Sequence, residues 1–389
     1  MARRRVSQRG GGRPSPNTGL IGKAGSRELL ATPALVLDLD AFEANLRGLA
    51  RYCREHGRAL RPHAKTHKST HIAALQARNG AVGICVATVR EAQAMVEAGV
   101  RGILITSPVA GPAKMDALVA LLERDPRIMI VVDSAENARQ LDVRLRAARR
   151  TVGVLLDVDV GMHRTGVPDV RGALLLGQRL AGSDRLEFRG VQCYSGMVQH
   201  IAGYRERAIV YLSQLTLLES MLEGLARQGI RAPIVTGGGT GTFHIDPRAG
   251  LFTESQAGSY VFMDVQYNDV QLSQRGALPL RTALFVQSMV LSNNHRRAAT
   301  LDAGFKSFAM DGPVPEVRRG APRGTRFQFY GDEFGMLTWS RGATRLRLGS
   351  KVELVTPHCD PTVNLHDWYH CVRGDRLVDI WPVDARGSL

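Results

Sequence analysis

The chain has 389 residues, of which 44% are apolar and 22% charged, and its formal net charge is +15. A chain of this length exceeds what one hydrophobic core normally supports, so we expect a soluble globular protein with two domains. The sequence contains no apolar run long enough to span a bilayer and no apolar signal core near its N-terminus, so we expect no membrane association.

Much of the positive charge lies in a basic N-terminal tail, residues 1–17, which is rich in arginine and glycine. A segment of this composition cannot pack a hydrophobic core, so we expect residues 1–17 to be disordered. A basic tail can also bind nucleic acid, but no other feature supports this, and we expect no nucleic-acid partner. The five cysteines are scattered and odd in number, which argues against a disulfide framework and favours a cytoplasmic location.

From residue 32 onward, apolar runs of strand length alternate with helix-like patterns. Strands this apolar are typical of a parallel sheet whose two faces are both covered by helices. Eight strand and helix units favour a (β/α)8 barrel of the TIM type over a doubly wound sheet. We predict barrel strands at residues 34–39, 59–64, 82–87, 102–106, 128–133, 152–158, 188–194 and 234–236.

After residue 273 the pattern changes to short strands separated by turn residues. The sequence therefore predicts an α/β protein with a barrel over residues 18–273 and a C-terminal all-β domain over residues 274–389. Residues 18–30 are also free to pack on the β domain. The short strands are predicted at residues 282–291, 298–302, 326–330, 335–339, 351–356 and 368–381.

Reactive side chains of a barrel gather at the carboxyl ends of its strands. Lys65 follows the second predicted strand, and a glycine-rich run at residues 237–241 follows the eighth. Each feature alone is also compatible with an ordinary rim lysine or a flexible loop. Together they favour pyridoxal 5'-phosphate, because successive backbone N–H groups can bind its phosphate and a lysine can bind its aldehyde.

Four motifs carry a resemblance to a known family: RPHAKTHK at residues 61–68, QCYSG at 192–196, TGGGTG at 236–241 and PHCD at 357–360. On these motifs the chain resembles the fold type III, alanine racemase-like pyridoxal phosphate enzymes, and more closely their D-threonine aldolase branch. The related D-serine dehydratases look similar. The resemblance implies a metal-activated carbon–carbon lyase that cleaves D-β-hydroxy-α-amino acids, such as D-threonine, to glycine and an aldehyde.

The resemblance also implies roles for individual residues. Lys65 would be the Schiff-base lysine, and Arg164 and Tyr194 would contact the pyridine ring. Members of this group commonly pair, so we expect a homodimer. The phosphate would be held by four residues: Gly238, Gly239, Thr240 and Tyr260.

His358 and Asp360 form a His-x-Asp pair in the second domain. At a strand end, alternation would place both side chains on one face, and their nitrogen and oxygen donors suit Mn²⁺ above all, or Mg²⁺ or Co²⁺. A packed histidine is the structural alternative, but in the aldolases that the chain resembles this pair binds the metal. The similar dehydratases carry a cysteine at the second position, which suits zinc. Asp360 therefore favours the aldolase.

His200 is the predicted general base, because a neutral imidazole can accept a proton near neutral pH. The alternative is a surface histidine that caps a helix. His63 and His67 flank Lys65, and the sequence leaves open whether they only frame this lysine or also move protons.

Other functions remain as alternatives. A dehydratase on the same fold would convert D-serine or D-3-hydroxyaspartate to an oxo acid and ammonia, whereas only the aldolase makes glycine. A racemase needs acid and base groups on opposite faces of the cofactor, and the β domain shows no clear tyrosine motif for this. A non-enzymatic pyridoxal phosphate carrier would resemble the barrel alone, so the β domain argues against it.

Overall fold

The computed structural model of the protein describes residues 14–274 and 278–387. Within these residues the chain forms 17 β-strands and ten α-helices. The strands are β1 (Ala34–Asp38), β2 (Ala59–Leu60), β3 (Ile84–Val86), β4 (Ile103–Ile105), β5 (Met129–Val132), β6 (Val152–Val158), β7 (Leu186–Cys193), β8 (Ile234–Gly237), β9 (Glu254–Ser255), β10 (Leu284–Ser292), β11 (Ala298–Leu301), β12 (Glu316–Arg319), β13 (Arg326–Phe329), β14 (Gly335–Thr338), β15 (Lys351–Val355), β16 (Trp368–Arg373) and β17 (Arg376–Pro382). The helices are α1 (Leu39–Glu55), α2 (Thr70–Arg78), α3 (Val89–Glu97), α4 (Pro112–Arg124), α5 (Ala135–Ala148), α6 (Val170–Ala181), α7 (Tyr204–Arg227), α8 (Asp246–Ala249), α9 (Val265–Asn268) and α10 (Cys359–Val363).

Strands β2 to β9 form one parallel eight-stranded sheet in the order β2-β9-β8-β7-β6-β5-β4-β3. A backbone β-bridge between His63, which follows β2, and Cys85 of β3 joins the two end strands, so the sheet curls into a ring. Strand β6 is buried at every position, as expected for a barrel strand that is covered on both faces. The predicted (β/α)8 barrel is confirmed.

Side-chain caps begin several of the helices that cover the barrel. Thr88, Ser134 and Asp169 accept hydrogen bonds from the backbone N–H three residues later, at the starts of α3, α5 and α6. Such caps satisfy N–H groups that the first turn of a helix leaves free. They fix where each helix begins, and therefore where each preceding loop crosses the carboxyl end of the barrel.

One predicted barrel strand belongs to the other sheet. Strand β1 pairs with β10 and β16 of the second domain, so the predicted barrel range, which begins at residue 18, wrongly includes it. The eighth barrel strand is instead β9, which the sequence did not predict because it has only two residues, both of them polar. Lys65 therefore follows the first strand of the ring, and the glycine-rich run follows the seventh.

The second sheet has nine strands, with the main path β13-β14-β11-β10-β1-β16-β17, and β15 joins β12 to β10. Its pairs are antiparallel except that of β1 with β16. This sheet confirms the mostly-β C-terminal domain. Residues 18–30 lie against it: the Gly22 N–H donates to the carbonyl of Leu377 at 2.8 Å, and Arg27 forms a buried ion pair with Glu353 at 2.7 Å.

The lysine motif is tied to the ring by its arginine. Arg61 donates from Nε and Nη2 to both carboxylate oxygens of Glu254 on β9, at 2.7 and 2.8 Å, and both side chains are buried. Its Nη1 donates to the carbonyl of Gly102. Two parallel bonds between a guanidinium and a carboxylate are strong and directional. Arg61 therefore fixes the end of β2, which leads into the short turn that carries Lys65.

Part of the predicted disordered tail is packed against the second domain. Ser15 and Asn17, placed in the disordered tail by the sequence, are buried and hydrogen-bond the Nε2 atom of His370 at 3.1 and 2.9 Å. Residues 1–13 of the predicted tail lie outside the described residues. All five cysteines are buried and free. Among the described helices, none is long and apolar enough to cross a membrane.

Candidate active site

A cavity of about 430 Å³ lies at the carboxyl ends of the barrel strands. This volume falls within the range of roughly 300–1,000 Å³ that is typical of small-molecule sites. Residues that follow β2, β3, β4, β6, β7 and β8 line it together. Five residues predicted from the sequence are among them: Lys65, Arg164, Tyr194, Gly239 and Thr240.

Lys65 lies on a short 3-10 turn that His63 holds in place. The backbone N–H of Lys65 donates to Nδ1 of His63 at 3.2 Å. The Thr106 hydroxyl donates to the carbonyl of Val86, so it accepts from Nε2 of His63 at 3.0 Å. These bonds fix a neutral His63 with its proton on Nε2. Burial, and then the charge of Lys65, hold the pKa of His63 well below its ordinary value.

His67 repeats the same arrangement one turn later. Its Nδ1 accepts from the backbone N–H of Ser69 at 3.1 Å, and its Nε2 donates to Oε1 of Gln76 at 3.2 Å. Burial lowers the pKa of His67 to about 4. Both nitrogens of each histidine are thus engaged in hydrogen bonds on either side of Lys65.

Asp360 reaches Lys65 from the second domain, with 2.9 Å between Lys65 Nζ and Asp360 Oδ2. The contact is an ion pair between the Lys65 ammonium and the Asp360 carboxylate. The Asp360 carboxylate raises the pKa of Lys65 above its ordinary value. Burial alone would raise the pKa of Asp360, but Lys65 and His358 hold it well below its usual range. Both partners are therefore charged near neutral pH.

His358 and Asp360 lie at the beginning of α10, and not at the strand end that the sequence predicted. Nδ1 of His358 contacts Oδ2 of Asp311 at 2.8 Å, so Nδ1–H can donate to this carboxylate and leave Nε2 available. Among residues 14–274 and 278–387, no three His, Cys, Asp or Glu side chains are grouped to hold a metal. His358 and Asp360 would therefore be two protein ligands of a divalent ion, with water or substrate at its other positions.

The glycine-rich run forms a tight turn at the cavity. Gly238 has a φ of +66°, in the left-handed region that favours glycine, and a Cβ there would lie 2.5 Å from the Asp246 carboxylate. Thr240 lines the cavity, and its buried Oγ1 has no hydrogen-bond partner. A buried hydroxyl without a partner is costly unless a ligand satisfies it. The turn therefore fits the phosphate of the implied cofactor.

The structure places Arg164 and Tyr194 at the cavity, but not Tyr260. The Arg164 guanidinium lies 5.7 Å from the centre of the Tyr194 ring, so these two residues form a pair at the cavity. Tyr260, predicted to hold phosphate, is fully buried and its hydroxyl contacts Gln76 at 3.4 Å. It is absent from the cavity lining, where Tyr267 stands instead.

His200 ends a 3-10 turn, Met197–His200, beside the cavity. Its ring centre lies 4.6 Å from that of Tyr267, which lines the cavity. Burial lowers the pKa of His200, and the charges of His358 and Lys65 lower it further. His200 does not cap α7, whose N-cap residue is Gly203. His200 is exposed, as expected for a surface histidine, but it caps no helix, so its role as the base stays a prediction.

Comparison with known families identifies the chain. The sequence profile described as "Alanine racemase, N-terminal domain" matches residues 37–266, more than half of the protein. The chain belongs to this family. The profile described as "Putative serine dehydratase domain" matches residues 283–372 of this chain, so the two profiles together cover the barrel and most of the β domain.

Relatives narrow this assignment. A D-threonine aldolase from Arthrobacter sp is 41% identical over 92% of this chain and 93% of that protein, and a 3-hydroxy-D-aspartate aldolase from Paracoccus denitrificans (strain Pd 1222) is 32% identical over the same shares. The crystal structure of D-threonine aldolase from Filomicrobium marinum matches with a TM-score of 0.88 and 37% identity, over 92% of this chain and 96% of that one. The resemblance to the D-threonine aldolase branch is confirmed.

The sequence did not reveal several residues of the site. Asp311 lies in an irregular loop, and Gln199 lies in the turn that ends at His200. Neither belongs to a motif that was recognised. Tyr267 lies close in sequence to the predicted Tyr260 but on a separate helix, α9. The only available signal was the position of Gln199, which directly precedes the predicted base.

Proposed function

We propose that the protein is a pyridoxal phosphate- and divalent metal-dependent aldolase that cleaves D-β-hydroxy-α-amino acids to glycine and an aldehyde. The observation that carries the proposal is the 2.9 Å ion pair between Lys65 of the barrel and Asp360 of the β domain. It brings the predicted cofactor lysine and the predicted metal ligand to one point at the cavity. The sequence relatives named as aldolases support the same reaction.

The cofactor would be bound covalently by Lys65, with Arg164 and Tyr194 beside its ring. The turn of Gly239 and Thr240, which lines the cavity and includes the unpaired Thr240 hydroxyl, would hold the phosphate. When bound, pyridoxal phosphate supplies an electron sink for the breaking Cα–Cβ bond. Tyr260 stays outside this set, because its hydroxyl is turned to Gln76.

His358 and Asp360 would hold the metal, with Mn²⁺ the first choice. A divalent ion lowers the pKa of an oxygen bound to it by several units, which is the chemistry that loss of the β-hydroxyl proton requires. His200 would accept that proton on an imidazole nitrogen. Burial and nearby positive charge keep this imidazole neutral, which is the form that acts as a base.

The test is a product analysis with the purified protein, pyridoxal phosphate and D-threonine, D-phenylserine or D-3-hydroxyaspartate, with and without Mn²⁺. Glycine release that depends on Mn²⁺ is the expected result. Oxo acid and ammonia without glycine would overturn the aldolase and favour the dehydratase. No turnover of any substrate, with the cofactor bound, would favour a non-enzymatic pyridoxal phosphate carrier.

We also propose that the protein forms a homodimer and is located in the cytoplasm.

A further inference from the structure

Gln199 connects the glycine-rich turn to the loop that follows β7. The residue is 1% exposed, and its side-chain amide is hydrogen-bonded at both ends. The Gly241 N–H donates to Oε1 at 2.9 Å, and Nε2 donates to the carbonyl of Ser195 at 3.0 Å. Because one partner is a donor and the other an acceptor, the orientation of the amide is fixed.

Two glycines of the turn are needed because Gln199 approaches so closely. A Cβ at Gly239 would lie 2.5 Å from Oε1 of Gln199, and a Cβ at Gly241 would lie 2.1 Å from its backbone oxygen. Neither glycine has a positive φ, so backbone conformation does not require glycine at these positions. The bare backbone of the turn packs directly on Gln199.

This packing determines which groups of the turn remain for a ligand. The Gly239 N–H donates to the Thr242 hydroxyl at 3.0 Å, and the Gly241 N–H is taken by Gln199. Thr240 lies between them and lines the cavity. Over the part of the chain that the structure describes, neither its N–H nor its buried Oγ1 has a hydrogen-bond partner. Thr240 thus lines the cavity and carries two donors without a partner among the described residues, its N–H and its hydroxyl.

We propose that Gln199 is a positioning residue that holds the glycine turn in the shape required for the phosphate of the cofactor. It acts through Thr240, which would contact the phosphate, and not on the pyridine ring or on Lys65. The inference rests on the proposed cofactor of this site. It predicts that Gln199 contributes to binding of the phosphorylated cofactor and leaves binding of its unphosphorylated form unchanged.

The experiment compares pyridoxal phosphate with pyridoxal, which has the same ring and aldehyde but no phosphate. Both are titrated into cofactor-free protein, and binding is followed by the visible absorption of the lysine-linked cofactor. In the Gln199→Met variant, the dissociation constant for pyridoxal phosphate is expected to rise about tenfold or more, because a displaced turn would lose the hydrogen bond from Thr240 to the charged phosphate. The constant for pyridoxal is expected to change by less than about twofold.

Gln214→Met is the matched control. Gln214 accepts a hydrogen bond from the Ser195 hydroxyl at 2.8 Å, so it supports the same loop as Gln199 without contacting the glycine turn. This variant should keep the preference of the wild type for pyridoxal phosphate over pyridoxal. If Gln199→Met weakens the binding of both ligands equally, or leaves the ratio of their two dissociation constants unchanged, the proposal is overturned.

Two further results separate this inference from the function on which it rests. If the wild type itself does not prefer pyridoxal phosphate over pyridoxal, the phosphate site and the proposed function fail together. Gln199→Asn keeps the amide but is too short to reach Gly241, and it should reproduce the loss of selectivity. If Gln199→Met and Gln199→Asn both fail to fold while Gln214→Met folds, Gln199 has a structural role only and the proposal fails.

Discussion

Lys65 Nζ lies 2.9 Å from Asp360 Oδ2, and this contact joins the barrel to the second domain at the candidate site. Each charge stabilises the other, because the carboxylate raises the pKa of Lys65 and the ammonium lowers that of Asp360. Pyridoxal phosphate and a metal would each use one member of this pair. Replacement of one partner should therefore affect the two ligands in different ways.

Asp360→Asn is expected to lower Mn²⁺-dependent glycine formation by about 100-fold or more, since it removes a charged oxygen ligand from a two-ligand site. Lys65 remains, so the cofactor should still become attached and be trapped on Lys65 by borohydride reduction. Mass spectrometry of the reduced protein and a glycine assay measure the two effects. Full Mn²⁺-dependent activity in Asp360→Asn would remove the metal role of this residue.

Asp311 should control the metal affinity of His358 without contacting the metal itself. Asp311→Ala removes the acceptor for Nδ1 of His358, which fixes the ring orientation, and loss of such a partner typically weakens metal binding about 10- to 100-fold. Asp311→Asn keeps an acceptor for Nδ1 of His358, so its affinity for Mn²⁺ should fall less than that of Asp311→Ala. The measurement is Mn²⁺ titration followed by electron paramagnetic resonance. Asp332→Asn, at an exposed aspartate in a neighbouring loop, is the control and should bind Mn²⁺ as the wild type does.

The strands and helices of the barrel were predictable because their apolar runs are long, as in β6, which is buried throughout. The sheet to which a strand belongs was not. Strand β1 is as apolar as a barrel strand, and only its pairing with β10 and β16 places it in the second domain. Strand β9 carries no apolar pattern at all, since Glu254 is there to pair with Arg61.

The site shows the same limit at the level of side chains. The placement of Lys65 and Thr240 at the cavity was predictable, because a motif and a strand end mark them. The contacts of Gln199 and Asp311 were not, because each joins residues distant in sequence, at 2.9 Å to Gly241 and at 2.8 Å to His358. Such pairings depend on how loops meet, which local patterns do not encode.

His63 is expected to position Lys65 and not to act as the base. His63→Asn keeps an acceptor close to where Nδ1 lies, so the bond from the Lys65 N–H can survive, whereas His63→Leu removes it. We expect His63→Asn to keep activity within about tenfold of the wild type, because one neutral hydrogen bond to Thr106 is lost. His63→Leu should lose more.

The pH profile of kcat/KM distinguishes a positioning role of His63 from a role in proton transfer. If His63 were the base, His63→Asn and His63→Leu would lose activity equally, and the limb that reports the base would disappear from both profiles. His200→Asn is the comparison, since the proposed base should show that loss. An unchanged limb in His200→Asn would contradict the assignment of the base.

His370 should make the stability of the fold depend on pH. Its Nδ1–H donates to the carbonyl of Leu35 at 3.0 Å, and its Nε2 accepts from Nδ2 of Asn17 at 2.9 Å and contacts the Ser15 hydroxyl at 3.1 Å. The Ala31 N–H donates to Oδ1 of Asn17 at 2.7 Å, which fixes that amide and keeps its N–H₂ facing the histidine. A proton on Nε2 would meet this donor. Burial lowers the pKa of His370 to about 4.

The folded state therefore excludes a proton that the unfolded chain binds below about pH 6.5. The contribution of His370 to stability is complete above that pH and is lost as the pH falls toward about 4. Between pH 7 and pH 5 the loss is roughly 2 kcal/mol. Denaturant unfolding at both pH values measures it, and His370→Gln should show a smaller difference by about this amount. His295→Gln, at an exposed histidine, should keep the wild-type difference. Equal pH dependence in His370→Gln and the wild type would show that Asn17 does not prevent protonation of His370.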